Sequence, residues 1–322
     1  MAALLTKVKA RMTFHAHRKT RGLLEGEYAS VFHGHSMDFD DLREYVPGDE
    51  IRDIDLKATA RHSTPLVKRY VAHRRHALAL LVDTGANLDA VSESGEPKRE
   101  LAIMLAGMAG YLAVRNGDDV MLIEGDAAGT RYSERKGTEA HLEHLLRRIQ
   151  GAGTRPAVGA SVGVPGPESG PRGGAPRPPE APAGSDIAVQ LRWAAEHLRR
   201  RMLLLVIADD VRLAGLDPTL LTRLGAQHEL MWMTMADADL STFAGANGTP
   251  YEVTDSRSVG VPDELLVGDD LWKEYRTAET ARIAANEEVL RRNGVAHVRV
   301  GSTGDALIQL RRLMRRQRRG RN

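Results

Sequence analysis

The sequence predicts an α/β protein built on a doubly wound, largely parallel sheet. Short apolar runs alternate with segments of helical length along most of the chain, which is the pattern of repeated strand–helix–strand units. These runs are apolar throughout, as expected of strands that are covered on both faces of a sheet. Hydrophobic residues make up 42% of the 322 residues, which is enough for one sizeable core.

The individual elements are predicted from their length and periodicity. Strands are expected at residues 76–82, 119–124, 202–208, 229–235 and 295–300, with a shorter strand at 130–135. Helices are expected at 98–116, 137–150, 186–200, 218–225 and 271–292, and from residue 303 onward. Thr138 stands where an N-cap residue is expected, because its hydroxyl can accept a hydrogen bond from the first turn of the helix.

One segment interrupts this alternation. Between Gly151 and Ser185, nine glycines and eight prolines account for 17 of 35 residues. Such a composition cannot bury enough apolar surface to offset its ordering entropy, so residues 151–185 are predicted to be a disordered insertion. The same alternation continues on both sides, and neither half has enough strands for a sheet of its own. A single domain over 76–310 is therefore favoured over two domains joined by a linker.

The two ends of the chain are basic. Residues 1–24 carry six Lys or Arg and residues 311–322 carry seven, with no acidic residue in either stretch. We therefore divide off a basic N-terminal segment over 1–25 and an Arg-rich tail over 311–322, both expected to be solvated. The alternatives are that the tails bind nucleic acid or an anionic surface, or that they fold back on the acidic body between them.

The composition also excludes several kinds of site. The chain contains no cysteine, which removes disulfides, thiolate nucleophiles and cysteine-ligated metal centres. Its longest apolar stretch, residues 101–114, is shorter than the roughly 18–20 residues that span a bilayer, and no secretory leader is recognisable. We therefore expect a cytoplasmic protein without a transmembrane segment.

Oxygen-bearing side chains follow two of the predicted strands. Asp83 and Asp209 each end a strand, at the edge where open parallel sheets bind ligands. Asn87 lies shortly after the first strand, and Thr138 would reach the same edge if 130–135 is a strand leading into its helix. Such oxygens are the ligands of Mg²⁺ or Mn²⁺. The alternative is that the two aspartates cap the turns that follow their strands.

These residues carry a family resemblance. The order Asp83-x-Gly85-x-Asn87, then Thr138, then Asp209 resembles the metal-ion-dependent adhesion site of von Willebrand factor A domains, which have a Rossmann-like sheet. That site reads Asp-x-Ser-x-Ser after the first strand, a Thr two strands later and an Asp after the fourth. Gly85 offers no side-chain oxygen, and Asn87 offers a neutral one. The resemblance implies a degenerate metal site at Asp83, Asn87, Thr138 and Asp209.

The segment before the first of these strands, residues 26–75, carries a longer pattern. It reads R-x-Y-x-P-G-D, R-x-I-D and A-R, matched at Arg43, Tyr45, Pro47, Gly48, Asp49, Arg52, Ile54, Asp55, Ala60 and Arg61. This closely resembles the signature of the bacterial domain-of-unknown-function family 58 (DUF58). The tryptophan of that signature is replaced by Leu56.

The signature segment also predicts local structure. Val46-Pro-Gly-Asp49 has turn chemistry, and Asp49 is placed to cap a helix whose apolar face carries Ile51, Ile54 and Ala58. The dense mixture of charges in this segment fits an ion-paired network that braces it against the sheet. It also fits a charged recognition surface for a partner, since arginine suits either role.

Members of the DUF58 family often occur with MoxR-type AAA+ ATPases. The resemblance therefore implies a non-enzymatic adaptor that acts through protein–protein interaction beside such an ATPase. One alternative is a metal-dependent hydrolase that uses Asp83 and Asp209 together with Asp210. The other is binding of nucleic acid or an anionic surface through the basic tails.

Overall fold

Six strands form the central sheet of the computed structural model, which describes residues 3–15, 26–28, 39–46, 54–62, 64–70, 76–152, 184–209, 213, 215–238 and 269–320. The strands of this sheet are β3 (Ala77–Asp83), β4 (Asp119–Asp126), β5 (Gly129–Tyr132), β6 (Leu203–Asp209), β7 (Glu229–Met235) and β8 (Ala296–Val300). Their spatial order is β5-β4-β3-β6-β7-β8, and all neighbours are parallel except β4 and β5. The predicted α/β class with a largely parallel sheet is confirmed.

Helices cover both faces of this sheet. The described helices are α1 (Leu4–His15), α2 (Leu56–His62), α3 (Lys98–Arg115), α4 (Glu139–Gln150), α5 (Ile187–His197), α6 (Pro218–Gln227), α7 (Asp269–Arg292) and α8 (Ala306–Arg319). Side chains of α1, α3, α4 and α8 share one core with one face of the sheet, and those of α5, α6 and α7 share a second core with the other face. In the described ranges, no helix is both long enough and apolar enough to cross a membrane.

Both basic ends are more ordered than expected. Helix α1 buries Leu5, Val8 and Met12, and α8 runs through residue 319, well beyond the predicted boundary at 310. Apolar residues three or four positions apart place one face of each helix on the core, although the charged residues of both helices are all basic. The fold-back alternative is confirmed for the described residues, because Lys9 pairs with Glu139 and arginines of α8 pair with Glu27.

The signature segment forms a small unit in front of the sheet. Strands β1 (Phe39–Glu44) and β2 (Leu66–Tyr70) pair in antiparallel fashion. Ile54 bridges to β2 and Asp55 caps α2 by accepting a hydrogen bond from the Ala58 amide at 3.1 Å. The described helix begins after Asp55, so Ile54, which was expected on its apolar face, lies outside it, and the expected cap Asp49 lies outside the described residues. The first residue of the helix, Leu56, is 79% exposed.

The remaining signature residues are placed as follows. The Tyr45 amide donates to the Pro65 carbonyl at 2.9 Å, which fixes the end of β1 beside the start of β2. Arg61 is exposed on α2. Arg43 lies in β1, but its side chain is outside the described part of the chain, as are Pro47, Gly48, Asp49 and Arg52 as a whole. Most of the predicted insertion, residues 153–183, also lies outside the described residues.

Candidate functional site

The carboxyl edge of the sheet brings two of the predicted site residues close together. Strands β3 and β6 are parallel neighbours, so their final residues, Asp83 and Asp209, emerge side by side. Both side chains are largely buried, at 5% and 8% exposure. Two carboxylates in so little solvent repel each other unless a proton or a cation compensates.

A lysine side chain supplies that positive charge. Lys98, the first residue of α3, is 0% exposed, and its ammonium donates to Asp209 Oδ1 at 2.7 Å and to Asp237 Oδ1. Burial lowers the pKa of Lys98, but Asp209 and Asp237 outweigh burial, so the pKa is raised and the group stays charged. Asp237 is also 3.5 Å from Nη2 of Arg282 on α7, which extends the network across the edge.

Asp83 has a different environment. It accepts a hydrogen bond from the Gly85 amide at 3.0 Å and another from the Ser185 hydroxyl. Burial, together with the charges of nearby Asp209 and Asp186, outweighs the two hydrogen bonds and raises the pKa of Asp83 from its ordinary value of 3.8 to about 7. At neutral pH, therefore, the Asp83 carboxyl group is protonated in part of the protein population and ionised in the rest.

Ser185 reaches this edge from the far end of the Gly/Pro-rich segment. Its Oγ accepts a hydrogen bond from the backbone amide of Asn87 at 3.3 Å. Asp186, the next residue, caps α5 by accepting a hydrogen bond from the backbone amide of Ala188 at 3.1 Å. A Cβ atom on Gly85 would lie 2.6 Å from Ser185 Cα and 2.7 Å from its amide nitrogen. Because Gly85 has no side chain, Ser185 can approach this closely. The Ser185 hydroxyl therefore lies beside Asp83, although the two residues are far apart in the sequence.

We expect Gly85→Ser, which introduces the adhesion-site residue, to lower the free energy of unfolding by about 1–3 kcal/mol. Two of the three closest atoms belong to the backbone of Ser185, so combining it with Ser185→Gly should not restore stability. Urea denaturation of both variants tests this. Gly129→Ser is the control, since a Cβ there meets nothing within 4 Å. A Gly85→Ser protein as stable as wild type would show that the close approach does not exist.

Thr138 does not join the other predicted ligands. It caps α4 as predicted, accepting a hydrogen bond from the His141 amide at 3.2 Å. However, the preceding residue, Gly137, lies against the Asp118 carbonyl and the Asp119 side chain, at the amino end of β4. Because β5 returns antiparallel to β4, the chain enters α4 at the edge of the sheet opposite to Asp83.

The residues at the carboxyl edge do not fit a divalent cation. Asp209 already accepts a hydrogen bond from the Lys98 ammonium, Gly85 has no side-chain oxygen and its carbonyl accepts from the Leu88 amide, and Thr138 is at the other edge. Within the described residues, no group of three or more His, Asp or Glu side chains is arranged to hold a metal ion. Mg²⁺ and Mn²⁺ need several oxygen ligands that are free to coordinate them, and this arrangement does not provide them.

Three residues of the site were not predicted from the sequence: Lys98, Ser185 and Asp237. Lys98 carried a usable signal, because it precedes Leu101 and Ala102 by three and four positions and so shares their buried helix face. Ser185 and Asp237 reach the edge through long-range contacts for which local sequence carries no comparable pattern.

Comparison with known proteins identifies relatives of this chain. The family described as "Protein of unknown function DUF58" matches residues 41–246. Uncharacterized proteins of Mycobacterium bovis and Mycobacterium tuberculosis are 26% identical over 307 residues, covering 94% of this chain and 86% of theirs.

Two solved structures were also compared. An aerotolerance-related membrane protein from Bacteroides fragilis aligns with a TM-score of 0.41 and 12% identity, over 74% of this chain and 98% of that one. The PilB minor pilin from Streptococcus sanguinis aligns with a TM-score of 0.36 and 10% identity, over 80% and 64% of the two chains. Both scores are too low to transfer anything beyond this general resemblance.

Proposed function

Since the chain belongs to the DUF58 family, we propose that it is a non-enzymatic protein-binding module that docks a partner at the carboxyl edge of its sheet. The observation that carries this proposal is the buried ion pair of Lys98 with Asp209 and Asp237. Both carboxylates pair with the ammonium group of Lys98. Because this positive charge belongs to the protein, the arrangement of charges at the edge does not depend on a bound metal.

We further propose that the sheet is of the von Willebrand factor A type with an altered adhesion site. Asp83 follows the first strand of the six-stranded sheet in chain order and Asp209 follows the fourth, which is the family's arrangement. The hydroxyl beside Asp83 comes from Ser185, and the positive charge beside Asp209 comes from Lys98. In this proposal, partner binding is independent of Mg²⁺ and Mn²⁺.

The proposed partner is a MoxR-type AAA+ ATPase, met in the cytoplasm, in the assembly or maturation of a further protein. The support for this partner is the family membership of the chain together with the resemblance described above. The exposed part of the edge offers a place to test it. Val91 lies in the loop between β3 and α3, is 43% exposed, and neighbours Ser92, which bridges to Asp237.

We expect Val91→Asp to weaken binding of the purified MoxR-type ATPase from the same cell at least about tenfold, because it places a charge in the desolvated centre of the docking face. Calorimetric titration measures this, and EDTA should leave the wild-type affinity unchanged. Leu56→Asp on α2, outside the six-stranded sheet and 79% exposed, is the matched control and should bind like wild type. If the wild-type protein does not bind the ATPase, the proposed partner is wrong. If Val91→Asp binds as tightly as wild type, the proposed face is wrong.

The hydrolase alternative is favoured by one observation, the pKa of about 7 at Asp83, which suits a general acid or base. Against it stands the engagement of the two carboxylates near Asp83, because Asp209 accepts a hydrogen bond from the Lys98 ammonium and Asp186 caps α5. Asp210, the third residue of this alternative, lies outside the described residues. Phosphatase and nuclease assays with Mg²⁺ or Mn²⁺ separate the two functions, because activity that Asp83→Asn abolishes would replace the proposed binding role.

A further inference from the structure

The last helix presents a row of arginines beside a surface depression. Helix α8 turns Leu310, Leu313 and Met314 into the core, so its opposite side faces outward. A depression of about 530 Å³ lies along that side, lined by Ile308, Arg311, Arg312, Arg315, Arg316 and Arg319. The buried apolar face holds the helix against the sheet, so the arginines project from a rigid base.

Only part of this positive charge is compensated. Arg311 Nε lies 3.0 Å from Glu27 and Arg315 Nε 3.7 Å from the same carboxylate, while Arg316 Nη1 donates to the His297 carbonyl at 2.5 Å. Among the residues that the structure describes, no acidic side chain lies within ion-pairing distance of the guanidinium groups of the other two lining arginines. Within the described part of the chain, five lining arginines face a single glutamate, so positive charge is in excess along this side of the helix.

The charge is more than helix stability requires. Arg316 and Arg319 in the last turn complement the negative end of the helix dipole. Arg311 and Arg312 lie near the middle of the helix, where that effect has faded, and no acidic residue occurs between 306 and 319 to pair with them at helical spacing. These arginines are therefore open to an anionic ligand that displaces their counterions.

We propose that this arginine face binds the phosphodiester backbone of nucleic acid without reading its sequence. The planar fork of arginine matches phosphate oxygens with two parallel hydrogen bonds. At a rise of about 1.5 Å per residue, Arg312 and Arg319 stand about 10 Å apart along the helix. Successive phosphates of one duplex strand are about 3.4 Å apart along its axis, so the row matches a short run of phosphates.

An anionic membrane is the competing occupant, and the geometry favours it less. A helix that lies on a bilayer buries its apolar face among the lipids, whereas the apolar face of α8 is already packed against the sheet. Ile308, 62% exposed, is the one lining residue that could insert. A concave surface also suits a narrow polyanion better than a flat layer of headgroups.

The test uses the full chain and a fluorescent duplex of about 20 base pairs, followed by anisotropy between about 50 and 200 mM salt. We expect a dissociation constant in the micromolar range that rises steeply as the salt concentration increases. Arg312→Ala/Arg319→Ala should lower the slope of log K against log salt by about two, since each lost phosphate contact removes about 0.9. Arg291→Ala/Arg292→Ala on α7 is the control, because it also removes two positive charges, but from arginines that pair with Glu288. This variant should keep the wild-type slope.

Thermal unfolding of both double variants checks that they remain folded. The proposal is overturned if the wild-type protein does not bind the duplex, or if Arg312→Ala/Arg319→Ala keeps the wild-type slope. Binding to vesicles containing phosphatidylglycerol without binding to the duplex would assign the face to membranes instead. Because the arginine face is separate from Val91, failure here leaves ATPase binding at the carboxyl edge untouched.

Discussion

Replacing Lys98 by methionine is expected to lower the free energy of unfolding by about 3–5 kcal/mol, the largest loss predicted for a single side chain of this protein. Methionine keeps the length of the side chain but removes its charge. Asp209, 8% exposed, would then face Asp237 across a site with little water and no compensating ammonium. Urea denaturation followed by circular dichroism measures the loss.

Two further variants make this result specific. Lys136→Met removes an ion pair of similar length, 2.9 Å to Glu134, between exposed side chains, and should leave the stability close to that of wild type because water already solvates both charges. Adding Asp209→Asn to Lys98→Met should recover part of the loss, because it neutralises one of the stranded carboxylates. A loss below about 1 kcal/mol for Lys98→Met would mean that the buried network does not hold the edge together.

The regular elements could be predicted because they are set by local patterns. The strand at 229–235 was predicted with the bounds it has, and the strands at β3, β4, β6 and β8 are displaced by one or two residues at most. Buried parallel strands are recognisable by their uninterrupted apolar character, and the helices between them by length. The helix from residue 303 is confirmed as α8, but its extension to residue 319 and the whole of α1 are not predicted, because basic residues interrupt their apolar spacing.

The position of Thr138 shows where local patterns stop being sufficient. Its role as a helix cap needs only its neighbours, and that prediction is confirmed. The edge of the sheet at which Thr138 lies depends on the direction of β5. Ala127 and Ala128 connect β4 to β5, and so short a connection makes the two strands antiparallel, whereas parallel strands need a crossover of a dozen or more residues. A hairpin at this point returns the chain to the amino end of β4, and Thr138 therefore lies at the other edge.

The chemistry of the site depended on contacts that no local pattern contains. Lys98 and Asp237 are 139 residues apart, and Asn87 and Ser185 are 98 apart. The spacing of Lys98 places it on the buried face of its helix, but no local pattern identifies the carboxylates that pair with it. A serine at the end of a Gly/Pro-rich segment is taken as part of that segment. Only the packed sheet brings these two residues to Asp209 and Asp83.

The stability of this edge should also depend on pH through Asp83. Its folded pKa of about 7 lies above the ordinary value of 3.8, so the folded state holds this proton more tightly than the unfolded chain does. The associated stability is fully present below the unfolded pKa and is lost as the pH rises through about 7. Asp83→Asn keeps a neutral side chain at every pH and should therefore be roughly 2–4 kcal/mol more stable than wild type at alkaline pH.

Urea denaturation at intervals between about pH 5 and pH 8 tests this, with the difference between wild type and Asp83→Asn as the readout. Asp217→Asn is the control, because that carboxylate caps α6 at the surface and its pKa is lowered, so it does not titrate in this window. Parallel profiles for wild type and Asp83→Asn would mean that Asp83 is ionised and hydrated throughout. A divergence that grows with pH would instead show that burial holds its proton, and that Lys98 compensates Asp209 without also serving Asp83.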